Sequence, residues 1–116
     1  MKADFGAVLD TITRVIGVRG AMIVAREDGL IVTDSLMAGV RGNAVAALAA
    51  SLAQRVGNAS LASGAGEPQF LHLQGTDGVL LAVPAGEDML IVAIADPGVN
   101  VGLVRLELIR GAEVVR

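Results

Sequence analysis

Cysteine, tryptophan and tyrosine are all absent, and phenylalanine occurs only twice. Without cysteine there can be no disulfide and no thiolate metal site, in keeping with a reducing compartment. Lysine occurs once, at Lys2, and the eight arginines are spread from Arg14 to Arg116 without clustering. A nucleic-acid binder needs a concentrated basic face, often with aromatic platforms for bases, so nucleic acid is not an expected partner. No run of about 18 uncharged apolar residues has membrane-helix composition. The opening Met1-Lys2-Ala3-Asp4 has no apolar signal core. A cytoplasmic protein without membrane insertion is the expectation.

What remains is aliphatic. Hydrophobic residues make up 53% of 116 positions, and the mean hydropathy is +0.66. That argues against disorder and for one core in a single domain over residues 1–116. The formal charge is −3.

Phe5, Val8, Leu9, Ile12, Val15 and Ile16 recur at helical spacing, with Asp4 as cap and Gly17 as stop. Two β-rich runs, Ala21 to Ala25 and Leu30 to Thr33, flank Asp28-Gly29, which reads as a hairpin. Asn43 is placed to cap a second helix running to about Leu61, broken by Ser63 to Pro68. Strands follow at Gln69 to Gln74, Val79 to Val83 and Met89 to Ala95. Asn100 caps a last helix from Val101 to about Val114. The order is α-β-β-α-β-β-β-α. Strands two, four and five of this series are nearly continuous apolar runs, which implies cover on both faces. Helices one and three are expected on one face and helix two on the other.

The second helix carries one charge, Arg55, between residues 43 and 62. Val45, Leu48, Leu52, Val56 and Ala59 form one apolar stripe, expected on the sheet. The opposite face should carry water-facing charges. Instead it holds Ala46, Ala47, Ala50, Ala53, Gln54, Gly57 and Asn58. Alanine favours helix wherever it stands, but a charge-free exterior leaves a poorly soluble patch. The expectation is a second copy of the chain over this face, related by a two-fold axis. In the last helix Leu103 and Leu106 fall off the main stripe; they either meet helix one or belong to a second surface.

Chemistry is hard to place. No G-x-x-x-x-G-K-[ST] phosphate loop exists. Gly64-Ala65-Gly66 lacks the third glycine and the preceding strand of a dinucleotide site. The sole histidine, His72, cannot hold zinc alone and reads as a half-buried or interface residue. No G-x-S-x-G surrounds any serine. The pairs Glu27/Asp28 and Glu87/Asp88 fall in expected hairpin turns, where acids are common. No catalytic residue, cofactor or metal site is expected, and the chain is not read as an enzyme.

Several stretches together resemble the Roadblock/dynein light-chain family, nearest its prokaryotic MglB-like branch. They are Ile16-Gly17-Val18-Arg19-Gly20-Ala21, Arg26-Glu27-Asp28-Gly29-Leu30-Ile31, the alanine-rich Ala44 to Leu52, and Thr76-Asp77-Gly78-Val79-Leu80-Leu81. The most specific is Asn100 to Leu108 preceded by Leu90 to Asp96. The resemblance covers about Phe5 to Val114. It implies a homodimer in which second helices pack together and third strands pair across the two-fold. Ala46, Ala50, Ala53, Gly57, Phe70 and His72 would form that interface. It also implies a platform for a small Ras-like GTPase, possessing its own switch residues for hydrolysis, with Arg41, Asn43, Ala47, Ser51, Gln54, Arg55 and Asn58 at the contact. The chain ends at Arg116 without the C-terminal extension that some such regulators carry, which favours a bare module. Two alternatives stand beside this reading. One is a self-assembling scaffold without a GTPase. The other is a profilin- or PAS-like ligand sensor, which would need a closed apolar pocket of several hundred Å3, on the scale of ligand sites generally.

Overall fold

The structure is a computed structural model and describes residues 4–116. Its elements are α1 (Phe5–Thr13), β1 (Val18–Ala25), β2 (Ile31–Leu36), α2 (Gly42–Ala62), β3 (Leu71–Gln74), β4 (Val79–Ala85), β5 (Met89–Ala95) and α3 (Val101–Val115). This is the expected order. The five strands form one sheet in the order β2-β1-β5-β4-β3, every neighbouring pair antiparallel.

Local chemistry explains most boundaries. The Asp4 side chain accepts a hydrogen bond from the Ala7 amide at 3.0 Å and starts α1. The Asn100 side chain does the same for α3, accepting from the Leu103 amide at 3.1 Å. The β1–β2 turn depends on Gly29, whose φ of +73° suits glycine and whose Cα approaches the α2 backbone at Ala47. The tips of the β1–β2 and β4–β5 hairpins are joined where the Arg26 amide donates to the Asp88 carbonyl at 2.8 Å.

The side-chain alternation of the central strands feeds two cores, one on each face. On one face Ile23, Leu81 and Ile91 meet Leu9 and Ile12 of α1 and Val104 and Leu108 of α3. Gly111 lets α3 come close; a methyl group there would sit 2.7 Å from Val8. On the other face Met22, Val24, Leu90 and Val92 meet Ala46, Ala49 and Ala50 of α2. Helices one and three therefore share a face and helix two takes the other, as expected.

Four expectations need correction. First, α1 ends at Thr13, and Ile16 is 93% exposed rather than part of the helix's core stripe. The chain must leave the helix early to make the left-handed turn at Gly17 and enter β1 at Val18. Second, Asn43 does not cap α2: the helix starts at Gly42 after Arg41, without a side-chain cap. A Cβ at Gly42 would lie 2.5 Å from the far end of the Leu36 side chain, which would have to shift to admit it. Third, β1 and β2 are longer than the apolar runs suggest and β3 is shorter, leaving Phe70 just before it. Fourth, α2 is rotated about its axis, so that part of the face expected outside turns to the sheet while Ala47, Gln54 and Asn58 stay exposed. Of the stripe expected on the sheet (Val45, Leu48, Leu52, Val56 and Ala59), only Val45 packs beside the sheet-side core; Leu48 and Ala59 are exposed and Leu52 and Val56 half-buried. Ala46 and Ala50, placed by sequence in a dimer interface, are buried against the chain's own sheet, and Ala53 packs beside them. The reason is volume. Met22, Val24, Leu90 and Val92 already fill the layer under α2, so only small side chains fit between helix and sheet.

Candidate interaction surface

With its alanines turned inward, α2 presents two chemically different flanks. One carries Val45, Leu48, Leu52 and Val56. Leu48 is 70% exposed, and Val45, Leu52 and Val56 are half-buried. The other flank is uncharged and polar, with Asn43, Ala47, Ser51, Gln54 and Asn58 all exposed. Arg55 tops the helix, and Arg41 stands exposed at its start.

The sheet continues the apolar flank. Register places Leu73, Leu80, Ile94, Gly20 and Leu36 in one row across all five strands. Leu80, Ile94 and Leu36 are half-buried and pack against the α2-side core, together with Val45. Leu73, at the β3 end of the row, is 46% exposed. A helix flank and a sheet row, both aliphatic and both incompletely covered, meet on the same side of the molecule. Isolated exposed leucines are ordinary; a contiguous set is not.

The row ends at β3, an edge strand of four residues whose outer side pairs with no strand among the described residues. Such edges are natural templates for another strand. His72 is exposed there, 3.3 Å from the Gln74 side-chain oxygen. Phe70 is half-buried toward the α1/α3 side, with the Arg105 guanidinium 4.9 Å from its ring centre and the His72 ring tilted 6.4 Å away. Gly57 is half-buried on α2 with open space around it. Of the six residues assigned by sequence to the interface, Phe70 and His72 lie at or beside the open edge, and Gly57 beside open space. All seven assigned to a partner are exposed along or before α2.

Two spaces adjoin α2. A wide open cleft of about 930 Å3 lies between its polar flank and the hairpin tips, lined by Gln54, Arg26, Glu27, Glu67 and Asp88 among others. Beside Ala53, Phe70, Leu71 and Leu90 a second, half-open space measures only about 30 Å3. That holds a water molecule or little more and falls far short of the closed pocket a ligand sensor needs. Among the described residues no cluster of His, Asp and Glu has the geometry to hold a metal ion, and no helix is long and apolar enough to cross a membrane. At the end of α3 the Arg116 guanidinium, 2.6 Å from Glu113, holds that exposed carboxyl below its usual range and is itself held above its own.

Residues 4–95 match the Roadblock/LC7 domain family. The chain belongs to that family. Relatives of this Roadblock/LC7 protein include two uncharacterized proteins of Methanocaldococcus jannaschii, MJ1340 (31% identical) and MJ0714 (32%), each over 109 residues. These alignments cover 94% of this chain and 94% and 91% of the relatives. Among solved structures, "MglB with tetrameric arrangement" superposes with a TM-score of 0.86 at 26% identity, over 96% of this chain and 84% of that one. A Roadblock/LC7 domain from Streptomyces avermitilis does so at 0.85 and 18%, covering 95% and 92%. The gliding protein MglB of Thermus thermophilus gives 0.84 at 24%, covering 96% and 84%. The same fold extends at lower similarity to a profilin of Acanthamoeba castellanii (TM-score 0.57, 13% identity, 87% and 89% covered). Family and fold support a regulatory or adaptor role for this Roadblock/LC7 protein.

Proposed function

We propose that this protein is a non-catalytic homodimeric adaptor for a small Ras-like GTPase. The observation that carries the reading is the division of α2 into three strips. Alanines hold it to its own sheet. The aliphatic flank, continuous with the half-exposed sheet row, suits a sister subunit, and β3 offers an edge for strand pairing beside it. The polar flank suits a second protein that associates reversibly, since transient interfaces are more polar than permanent ones.

The self-association half of the proposal follows from burial. A two-fold contact through α2 covers Leu48, Leu52 and Val56 with their own counterparts, the self-complementary arrangement a symmetric dimer requires. Phe70 and His72 would then lie near the pairing edge. The GTPase half follows from the family resemblance and from the MglB neighbours. Arg41, Asn43, Ala47, Ser51, Gln54, Arg55 and Asn58 are the residues proposed to touch it. Acting on a GTPase needs no nucleophile or metal from this chain if the contact orders the partner's own switch segments. The self-assembling scaffold remains the second reading, favoured by the same aliphatic flank.

The test is affinity capture from native lysate on the immobilised protein, loaded in parallel with GDP and with a non-hydrolysable GTP analogue, followed by mass spectrometry. Recovery of a P-loop GTPase in a nucleotide-dependent manner is expected. Recovery of none in either state, from a protein shown to be dimeric, would leave the scaffold reading in its place.

A further inference from the structure

We propose that His72 makes the pairing of two copies of this chain sensitive to pH: neutral imidazoles let the β3 edges join, and protonated ones push them apart. This sensitivity rests on the reading that the copies meet through α2 and β3, and adds the condition under which they do.

Strand alternation puts Phe70, His72 and Gln74 on the α1/α3 side of the sheet, and Leu71 and Leu73 on the α2 side. For two α2 helices to lie side by side, the two-fold axis must stand perpendicular to the joined sheet. In an antiparallel ladder, residues directly opposite one another point to the same face. The axis must therefore pass through a residue position and not between two. β3 has four residues, so an axis at His72 or at Leu73 pairs three of them and one at Leu71 or at Gln74 pairs only one. Leu73, 46% exposed in the single chain, is covered in both favoured registers.

An axis at His72 sets the two imidazoles directly opposite, with Cβ atoms about 5 Å apart. An axis at Leu73 sets each imidazole opposite Gln74 of the second copy and makes the two diagonal neighbours at about 7 Å. In either case the chain's only histidine meets its own counterpart.

The surroundings offer a proton no counter-charge. On this face β4 presents Val79, Leu81 and Val83, all apolar and buried. From α3 comes Arg105, whose guanidinium lies 4.9 Å from the centre of the Phe70 ring, and the His72 ring stands 6.4 Å from that same ring. The acids of α3, Glu107 and Glu113, are engaged by Arg110 and Arg116. Glu67, before β3, lines the cleft beside α2, and Asp77 stands exposed in the turn after Gln74. The hydrogen-bond neighbour of His72 is the neutral Gln74 side chain at 3.3 Å. Pairing would gather two imidazoles and two arginines along one seam.

Proton linkage gives the sign. Separate copies charge their imidazoles in open water. In the pair each charge meets a second one and loses part of its hydration, so the dimer binds protons less readily than the monomers. Association must weaken as pH falls through the range where imidazole titrates. Two unit charges about 7 Å apart change a binding constant roughly threefold at the dielectric of water and roughly fiftyfold at an effective value near 20, so about tenfold is expected at this seam.

The experiment is sedimentation velocity over a dilution series at about pH 7.5 and about pH 5.5, on wild type, His72→Gln and His72→Lys. Wild type should dimerise at the higher pH and show a Kd about tenfold weaker at the lower. His72→Gln, uncharged throughout, should dimerise about equally at both. His72→Lys, charged throughout, should be as weak at both as wild type is in acid, which reads the charge without acidification. Circular dichroism at each pH checks that the subunits stay folded. A wild-type Kd that changes less than about twofold overturns the switch and leaves the dimer standing. Tightening in acid does the same, since a carboxylate such as Asp77 must then reach the imidazole of the second copy. A His72→Gln protein that keeps the wild-type response also overturns it, because the titrating group then lies elsewhere. A wild type that stays single up to about 1 mM at both pH values refutes the dimer itself, and the switch with it.

Discussion

Replacing Leu48 by aspartate tests the α2 dimer with little interference from folding. Within one chain the side chain is 70% exposed and supports no core, so the folded subunit should lose only the helix-propensity difference, about 0.5 kcal/mol. In a two-fold dimer the change occurs twice. Burying a whole leucine is worth about 2 kcal/mol, so covering the exposed part of two copies contributes about 3 kcal/mol. An aspartate forfeits that and must also be desolvated beside an apolar neighbour. With a tenfold change for each 1.4 kcal/mol or so, the dimer Kd should rise by about 100-fold or more. Sedimentation velocity across a dilution series measures the constant, and circular dichroism at high concentration checks that the helices persist. A folded Leu48→Asp protein with a Kd within about threefold of wild type would refute the argument, because no symmetric α2 contact could then include this position.

Ala50→Glu should behave differently: only 5% exposed against the sheet-side core, it would bury a carboxylate without a partner and cost several kcal/mol. Thermal denaturation at fixed concentration should show a collapsed transition; an unchanged melting temperature would mean that α2 does not rest on its alanines. Gly29→Ala combines a positive φ with a Cβ 2.7 Å from the Ala47 backbone, and should destabilise by about 2 kcal/mol or more in chemical denaturation. Ser51→Arg on the polar flank should reduce capture of a GTPase about tenfold while leaving the sedimentation coefficient unchanged; equal capture would move the partner site elsewhere. At neutral pH His72→Ala should alter neither fold nor GTPase binding, and loss of binding from an intact dimer would place the imidazole in the GTPase contact.

The middle helix shows where sequence reading succeeded and where it failed. That α2 carries a single charge, Arg55, was legible. Which side meets the sheet was not. Both candidate stripes are apolar, and size alone favoured Val45, Leu48 and Leu52 as the inner one. The answer depends on the bulk of Met22, Val24, Leu90 and Val92, which come from strands far away in the chain and fill the space first. Ile16 failed for a related reason. Its spacing fits the α1 stripe, but the helix ends at Thr13 because the path to Val18 requires a turn at Gly17.

Features that depend on residues a few positions apart were set by the sequence itself. The order of elements, the caps at Asp4 and Asn100, the glycine turn at position 29 and the poverty of catalytic side chains all belong there, because hydrogen-bond geometry and backbone sterics act locally. Tertiary structure decided what distant segments share. It aligned Leu73, Leu80, Ile94 and Leu36 into one row, turned the alanines of α2 inward, and laid Arg105 of α3 over Phe70 beside the β3 edge. Packing against a common sheet makes those choices, since the volume left by one element determines which face of another can fill it.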